Sequence, residues 1–301
     1  MRSHPKEGNP PSGKDFGWIC VPWSQVTTIA YPGAEGSYTE EAAGLLFPDG
    51  TRTAVLGFED AAAALVAGEV ERAVLPIENS LAGLVPDTLL ILEQGAMSIV
   101  GEVVVHIPHC LLGVTGATPE TIRVVHSHPM ALAQCRATLN GRYERVGTST
   151  TSEAARHVAE LRDPTVGAIA SPLAARAHGL EVLLDDVSDH PENFTRFVAL
   201  ARHTSYEHAG PGPWRTALRL VTSHEPGALH DAIEPLRYHR VQMTSLHSRP
   251  IMGEPWRYQF YVDVEGHRAD PRVLRALKDV DERSAFLAVL GSYPVWAPLS
   301  E

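Results

Sequence analysis

The chain of 301 residues contains only three cysteines, Cys20, Cys110 and Cys135. Three scattered cysteines are too few for a disulfide framework or a CxxC metal site, so a reducing, cytoplasmic location is expected. No apolar stretch approaches the roughly 20 residues of a membrane span. Residues 1–26 lack the apolar core of a signal peptide, and we expect them to form a disordered extension. Neither a membrane nor an export route is therefore predicted.

Basic side chains are also scarce, since 25 Lys and Arg stand against 36 Asp and Glu, a formal net charge of −11. A nucleic-acid surface needs clustered Lys and Arg, so nucleic acid is not an expected partner. The fifteen histidines show no HExxH or other recognised ligand spacing, and no metal site is predicted. Hydrophobic residues at 44% and charged residues at 20% are typical of a globular protein.

From residue 27 to residue 203, short β-rich runs alternate with helical patterns, which predicts an α/β domain with two lobes. Two S/T-x-x-E patterns, Ser37 with Glu40 and Thr150 with Glu153, predict capping boxes at helix starts. The other signals predict strands 26–31, 73–77, 98–107, 123–126 and 166–170, helices 38–46, 88–93, 129–140 and 171–177, and a helix from the second capping box to residue 161.

Residues 204–213 contain two Gly-Pro junctions and little apolar content, which indicates a linker. Beyond it, residues 214–296 show strands and helices in the order β-α-β-β-α-β, and residues 297–301 form a tail. That order predicts a ferredoxin-like sandwich, whose open sheet favours pairing between copies. The predicted strands are 216–221, 241–246, 258–264 and 286–290, and the predicted helices are 227–238 and 270–279.

Polar clusters follow several predicted strands, where α/β folds bind ligands. Helix N-termini offer free N–H groups and a partial positive charge, so several of them in one cleft can hold carboxylates in an acidic protein. Structural roles are an alternative to ligand binding for these residues, because Ser37 and Thr150 also cap helices and Glu78 can cap a helix or pair with Arg196. The clusters are Glu35-Gly36-Ser37, Glu78-Asn79-Ser80, Ser127-His128 with Gln134, Thr148 to Ser152, and Asn193-Phe194-Thr195-Arg196-Phe197.

Taken together, these segments resemble the catalytic domain of prephenate dehydratase over residues 28–203. Residues 214–296 resemble the ACT regulatory domain that follows it in that family. The matching stretches keep the family's order and are Tyr31 to Ala43, Leu75 to Ser80, Ile99 to Glu102, Ser127 to Pro129 with Ala133 to Cys135, Glu153 to Ala155, Ala168 to Ser171, Asn193 to Phe197, Glu225 to Leu229 and Ser248 to Pro250.

The resemblance implies a two-lobed α/β catalytic domain, similar to type II periplasmic binding proteins, with prephenate in the cleft. The implied reaction removes CO2 and hydroxide to give phenylpyruvate. Aromatisation drives it, so no cofactor is needed. The implied catalytic residues are Thr195, at the leaving hydroxyl, and Glu78, Asn79 and Gln134. The expected substrate-binding residues are Ser37, Ser80, Ser127, His128, Thr150, Thr151, Asn193, Phe194 and Arg196.

A threonine hydroxyl is a weak acid, so we treat Thr195 as a donor or relay, with a protonated Glu78 as its hypothetical proton source. The resemblance also implies control by phenylalanine or another aromatic amino acid, bound between the ACT domains of a homodimer or homotetramer. The residues implied for that effector site are Gly227, Ala228, Leu229, His247, Ser248, Arg249 and Pro250.

The chain departs from the family pattern at four positions. Met130 stands where the family usually has Gln, and His126 where it has Tyr. His247 replaces the usual Glu before Ser-Arg-Pro, and Gln242 replaces Asn, so effector control is expected to be weakened, retuned or made dependent on pH through an imidazole.

Three rival functions remain open at this stage. Two are relatives that use arogenate or that decarboxylate prephenate without aromatising it. The third is a non-catalytic amino-acid sensor. The intact Thr195-Arg196-Phe197 segment argues against the decarboxylase, since that outcome needs no help for a leaving hydroxyl. An exported sensor would need a signal peptide, and no chorismate mutase segment is expected before residue 27.

Overall fold

The computed structural model describes residues 28–139, 141–202 and 212–295. The predicted extension 1–26, most of the linker 204–213 and the tail 297–301 lie outside these ranges. Within them, no helix combines the length and the apolar character needed to cross a membrane.

The first lobe is built on a mixed sheet whose central strands are buried. Alanine, leucine and isoleucine side chains from both faces of this sheet form two apolar clusters under its helices. The strands lie in the order β5-β11-β3-β1-β2, and β4 pairs with β3. The elements are β1 (Thr28–Pro32), α1 (Tyr38–Leu46), β2 (Thr51–Val55), α2 (Phe58–Ala67), β3 (Arg72–Asn79), β4 (Gly83–Leu84), α3 (Pro86–Glu93), β5 (Met97–His106) and β11 (Phe194–Arg202).

The second lobe lies between β5 and β11 in the chain and has its own sheet, in the order β10-β6-β9-β7-β8. Its helices bury small side chains against that sheet. The elements are β6 (Cys110–Gly113), β7 (Val124–Ser127), α4 (Pro129–Gln134), α5 (Arg136–Leu139), β8 (Glu144–Gly147), α6 (Thr151–Leu161), β9 (Val166–Ala170), α7 (Pro172–His178) and β10 (Glu181–Leu184).

The predicted helix 129–140 is wrong in one respect, because it is broken at Cys135 into α4 and α5. Asp189 causes the break, because it forms hydrogen bonds with two backbone groups that a continuous helix would pair internally. Its backbone N–H donates to the Gln134 carbonyl at 2.7 Å, and its carboxylate accepts the Ala137 N–H at 2.8 Å.

Two chain segments, residues 107–109 and 185–193, connect the lobes and lie side by side. The Ile107 N–H donates to the Asn193 carbonyl at 2.8 Å, and the Val187 N–H donates to the His109 carbonyl at 2.6 Å. The junction between the lobes is therefore a pair of hydrogen-bonded strand-like crossings.

The C-terminal module has the predicted β-α-β-β-α-β order, with α8 and α9 packed on an antiparallel sheet in the order β13-β14-β12-β15. Its edge strand β15 lies beside β5 of the first lobe, where Gly291 pairs with Ile99. A Cβ at Gly291 would lie 2.2 Å from the Ile99 carbonyl oxygen, so this approach requires glycine. The elements are β12 (Trp214–Val221), α8 (Ala228–Tyr238), β13 (Met243–Pro250), β14 (Tyr258–Glu265), α9 (Pro271–Glu282) and β15 (Phe286–Pro294).

Candidate active site

The neighbouring strands β3 and β11 bring the first two candidate residues together. They run antiparallel, with Thr195 opposite Asn79 and Arg196 opposite Glu78. Because successive side chains of a strand point to opposite faces, Thr195 and Asn79 share one face and Arg196 and Glu78 share the other. This alternation holds from Phe194 onward, where β11 begins.

The Asn79 amide holds the Thr195 hydroxyl in a defined orientation. Its Oδ1 accepts the backbone N–H groups of Leu81 at 3.0 Å and Ala82 at 2.8 Å, which directs its Nδ2 towards β11. That Nδ2 lies 3.0 Å from Thr195 Oγ1 and 2.8 Å from Asn193 Oδ1. Since an amide N–H donates, Thr195 Oγ1 accepts, and its own proton is left for another acceptor.

The polar chain continues into the second lobe. Asn193 is 1% exposed, and its Nδ2 lies 3.4 Å from Gln134 Oε1. The same Gln134 oxygen lies 2.8 Å from Nε2 of His109. The structure thus joins Thr195, Asn79, Asn193, Gln134 and His109 in one network across the junction of the lobes.

Glu78 and Arg196 are placed away from this network, which corrects the expectation that both face the substrate. Arg196 Nη2 lies 3.0 Å from Glu78 Oε2, and Arg196 Nη1 lies 2.7 Å from Asp263 Oδ2 of β14. The prediction ended the strand at Ile77, whereas β3 continues to Asn79 and turns Glu78 to the opposite face. The pairing with Arg196, the alternative role considered for Glu78, is the one observed.

This second face carries a buried cluster of charges between the first lobe and the C-terminal module. Glu102, 3% exposed, accepts from Arg215 Nη1 at 2.7 Å and lies 3.4 Å from Arg196 Nη1. Burial raises the pKa of Glu102, although both guanidinium groups oppose the shift. Burial lowers the pKa of Arg196, but Asp263 and the other acidic neighbours outweigh it and raise that pKa overall.

Two of the proposed carboxylate-binding helix starts are capped by their own side chains. Ser37 Oγ accepts the Glu40 N–H at 3.3 Å, and the Glu40 carboxylate accepts the Gly36 N–H at 2.7 Å. Thr150 Oγ1 accepts the Glu153 N–H at 3.0 Å, but the Glu153 carboxylate accepts from the Ser149 hydroxyl instead of returning to Thr150. Neither glutamate accepts the N–H of its own N-cap residue, so both predicted capping boxes are only half formed. Thr151 begins α6 and is half-buried.

The remaining candidate residues are tied into the surrounding fold. Ser127 is fully buried and donates to the Ile169 carbonyl at 2.6 Å, while exposed His128 accepts the Met130 N–H through Nδ1 at 3.2 Å. Ser80 Oγ donates to the Glu192 carbonyl and accepts the Phe194 N–H. The exposed Phe194 ring lies 5.0 Å from that of His106, measured between centroids.

The lobes also touch through the loop before α1. Ser171, the N-cap of α7, donates to the Gly36 carbonyl at 2.8 Å. Gly36 has φ of +78°, and a Cβ there would lie 2.7 Å from the Ala174 Cα. The Tyr38 hydroxyl donates to the Pro108 carbonyl at the junction. These contacts hold the first helix of lobe one against lobe two.

A cavity of about 550 Å³ in the C-terminal module is lined by the residues Gly227, Ala228 and Leu229, among others. The second predicted effector segment lies elsewhere in the single chain. His247 Nε2 lies 3.2 Å from Glu78 Oε1, and Arg249 Nη1 donates to the Pro86 carbonyl at 3.3 Å. Ser248 and Pro250 are exposed on β13. Residues 247–250 do not line this cavity.

No group of three or more His, Cys, Asp or Glu side chains suited to a metal ion occurs in the described parts of the chain. His109 is the residue that the sequence did not single out for the site. Its place after Pro108 and directly before the buried strand β6 marks it as a residue of the lobe junction.

Two α/β lobes joined by paired crossings carry a hydroxyl and three amides at their junction, a position at which two-domain proteins commonly bind small molecules. The prephenate dehydratase family model matches residues 29–205. The chain belongs to the prephenate dehydratase family.

Individual relatives agree with this assignment. The bifunctional chorismate mutase/prephenate dehydratase of Neisseria gonorrhoeae is 37% identical over 91% of this chain and 76% of its own length. The prephenate dehydratase of Arthrobacter aurescens, solved in complex with L-Phe, is 30% identical with a TM-score of 0.81, covering 89% of this chain and 90% of its own.

GqqA, described as a novel type of quorum quenching acylase, is 37% identical with a TM-score of 0.81, over 90% of this chain and 98% of its own.

Proposed function

We propose that the protein converts prephenate to phenylpyruvate by decarboxylating dehydration. The observation that carries this proposal is the Asn79–Thr195 pair, in which the Asn79 amide donates to Thr195 Oγ1 at 3.0 Å. Thr195 is 8% exposed, and no described residue accepts its hydroxyl proton. A hydroxyl oriented in this way can donate to the oxygen that leaves the substrate ring.

The electron balance of the reaction explains why one donor is enough. The bond between the ring and the departing carboxylate breaks, its electron pair enters the ring, and the hydroxyl at the para position leaves with its bonding pair. Hydrogen bonding from Thr195 stabilises the charge that develops on this oxygen, which becomes water on taking up a proton. The Asn79 N–H in turn stabilises negative charge on Thr195 Oγ1.

The substrate carboxylates need binding groups other than Arg196, which is occupied by acidic side chains on the opposite face. We assign that role to the helix starts at Ser37 and Thr150, where backbone N–H groups are partly uncompensated. Gln134, with Ser127, His128 and Thr151 nearby in the second lobe, completes this proposed binding set. Glu78 is proposed to support the strand pair rather than supply the proton.

The finer architecture is part of the same proposal. The paired crossings between two sheets support a cleft of the type II periplasmic-binding-protein kind. The strand order of the C-terminal module supports an ACT-like regulatory unit, and the L-Phe complex of the Arthrobacter aurescens enzyme supports phenylalanine as its effector. Pairing of these modules would give a homodimer or homotetramer.

The test is a turnover assay on the purified protein with prephenate as the sole addition, reading phenylpyruvate by its ultraviolet absorbance in base. We expect phenylpyruvate to accumulate without added cofactor or metal. Arogenate is assayed in parallel, because it carries the same ring and leaving hydroxyl with an amino group in place of the keto group. Turnover of arogenate alone would favour that rival, and turnover of neither would reject the proposal.

A further inference from the structure

His109 is held rigidly where the chain passes from the first lobe to the second. It is 3% exposed. Its backbone N–H donates to Ser188 Oγ at 3.4 Å, and its carbonyl accepts the Val187 N–H at 2.6 Å. Both partners belong to the returning crossing, so the backbone that carries the ring is fixed by both connections between the lobes.

The contact between His109 and Gln134 has a defined direction. His109 Nε2 lies 2.8 Å from Gln134 Oε1, and an amide oxygen can only accept. The ring therefore donates from Nε2. Burial lowers the pKa of His109, which favours the neutral ring with its proton on Nε2.

Because the side-chain amide of Gln134 is planar, holding its Oε1 also fixes the position of its NH2 group. Gln134 Oε1 receives two donors, His109 Nε2 and Asn193 Nδ2. The Gln134 NH2 group, which lies on the other side of the same planar amide, donates to no residue in the described part of the chain. It is a donor left available at the edge of the Thr195 network.

We propose that His109 is a positioning residue for the dehydration, which keeps the NH2 end of Gln134 directed at an oxygen of the substrate. Without the imidazole N–H, only the longer contact from Asn193 Nδ2 holds the amide oxygen, so rotation of the amide by about half a turn becomes easier. Its oxygen would then face an anionic substrate and repel it. This inference rests on the proposed function, and it adds a residue that the site required but the sequence motifs did not indicate.

A merely structural role for His109 makes a different prediction. If the ring only filled space at the junction, any folded replacement of similar size would serve equally well. Glutamine places its amide nitrogen near the position of imidazole Nε2 and keeps the donor, whereas leucine has no donor. The pair His109→Gln and His109→Leu therefore separates hydrogen bonding from packing.

The experiment measures kcat and KM for prephenate in His109→Gln, His109→Leu, Gln134→Met and His109→Leu/Gln134→Met, with melting curves to show that each variant folds. We expect His109→Leu to lose about 10- to 100-fold in kcat/KM and His109→Gln to stay within about threefold of the natural protein. The double variant should be no less active than Gln134→Met alone, because His109 acts through Gln134.

Three results would overturn the inference: unchanged kcat/KM in folded His109→Leu, equal losses in the Gln and Leu variants, or multiplied losses in the double variant. If His109→Leu does not fold, His109→Asn replaces it, because the shorter amide does not reach Gln134. An inactive natural protein would instead reject the proposed function. In that case calorimetric binding of phenylpyruvate to the same variants reports on Gln134, and equal affinity in all of them would reject the role of His109.

Discussion

Arg196 Nη1 lies 2.7 Å from Asp263 Oδ2, and this ion pair connects the strand that carries Thr195 to the sheet of the C-terminal module. Thr195 and Arg196 are consecutive, so the two faces of β11 serve different partners. One face presents the hydroxyl to Asn79, and the other is tied to Glu78 and Asp263. Movement of the module sheet would therefore act on the backbone that positions Thr195.

Replacing Arg196 with Met should destabilise the protein strongly. The change leaves Glu78, Glu102 and Asp263 in a largely buried cluster with Arg215, and breaking a buried pair costs about 3–5 kcal/mol. Urea unfolding measures the loss. The control is Arg156→Met, which removes an exposed pair with Glu160 and should cost about 1 kcal/mol or less. Equal losses in both variants would show that the cluster contributes no more than a surface pair.

Removing the Thr195 hydroxyl should impair chemistry without unfolding the chain. We expect Thr195→Ala to lose about 10²- to 10³-fold in kcat, the usual cost of one donor at a developing oxyanion, with a smaller change in KM. Thr195→Ser is the matched control, because it keeps a hydroxyl and should retain most of the activity. Near-natural turnover in Thr195→Ala would remove this residue from the mechanism.

Glu78→Gln separates the two roles considered for that carboxylate. Because Glu78 is bound to Arg196 on the face opposite Thr195, we expect kcat to fall by less than about tenfold, with a measurable loss of stability. The same prephenate assay and urea titration give both quantities. A fall in kcat as large as that of Thr195→Ala would restore Glu78 as the proton source.

The local signals in the sequence predicted much of the fold. The helix Tyr38–Leu46 and the strand Val166–Ala170 have the predicted bounds, because a capping box and a short apolar run between turns are strong local signals. The sequence did not indicate the strands Thr51–Val55, Glu144–Gly147 and Glu181–Leu184, all at or near sheet edges, where exposure removes the apolar pattern.

The predicted site was harder to place than the fold because it depends on contacts between distant segments. Asn79, Thr195, Asn193 and Gln134 meet in one network, while Glu78, expected just beyond a strand that ends at Ile77, lies within β3 and pairs with Arg196. Because successive side chains of a strand point to opposite faces, extending β3 through Asn79 places Glu78 and Asn79 on opposite faces. The role of His109 depends on one side-chain contact, and residue order does not reveal it.

Gly36→Ala should weaken the contact between the lobes. The new Cβ would lie 2.7 Å from the Ala174 backbone, in addition to the cost of a positive φ for alanine. We expect a higher KM for prephenate, because the loop carrying Ser37 must move away from α7. Gly116→Ala is the matched control, since φ there is +85° and nothing lies within 4 Å of the added Cβ. It should lose stability, by about 1–2 kcal/mol, but keep its KM. Equal KM values in the two variants would show that the close contact of Gly36 with α7 does not affect substrate binding.

The buried His109 should also make stability depend on pH. Burial lowers its pKa in the folded protein below the ordinary value of 6.5, although Gln134 and Asp186 oppose the shift. The unfolded chain therefore takes up a proton first as the pH falls through 6.5, and the folded state loses stability down to its own lower pKa. Replacing His109 by Gln removes this contribution, so the unfolding free energy of the variant should fall less between pH 7.5 and pH 5.

Urea titrations of the natural protein and His109→Gln at the two pH values measure the difference. His224→Gln is the control, because it makes the same substitution at an exposed imidazole. The same loss of stability on acidification in His109→Gln and the natural protein would mean that His109 is protonated as readily in the fold as in the unfolded chain. That result would remove the support that a lowered pKa gives to a neutral His109 ring donating to Gln134, whatever the activity of the variants.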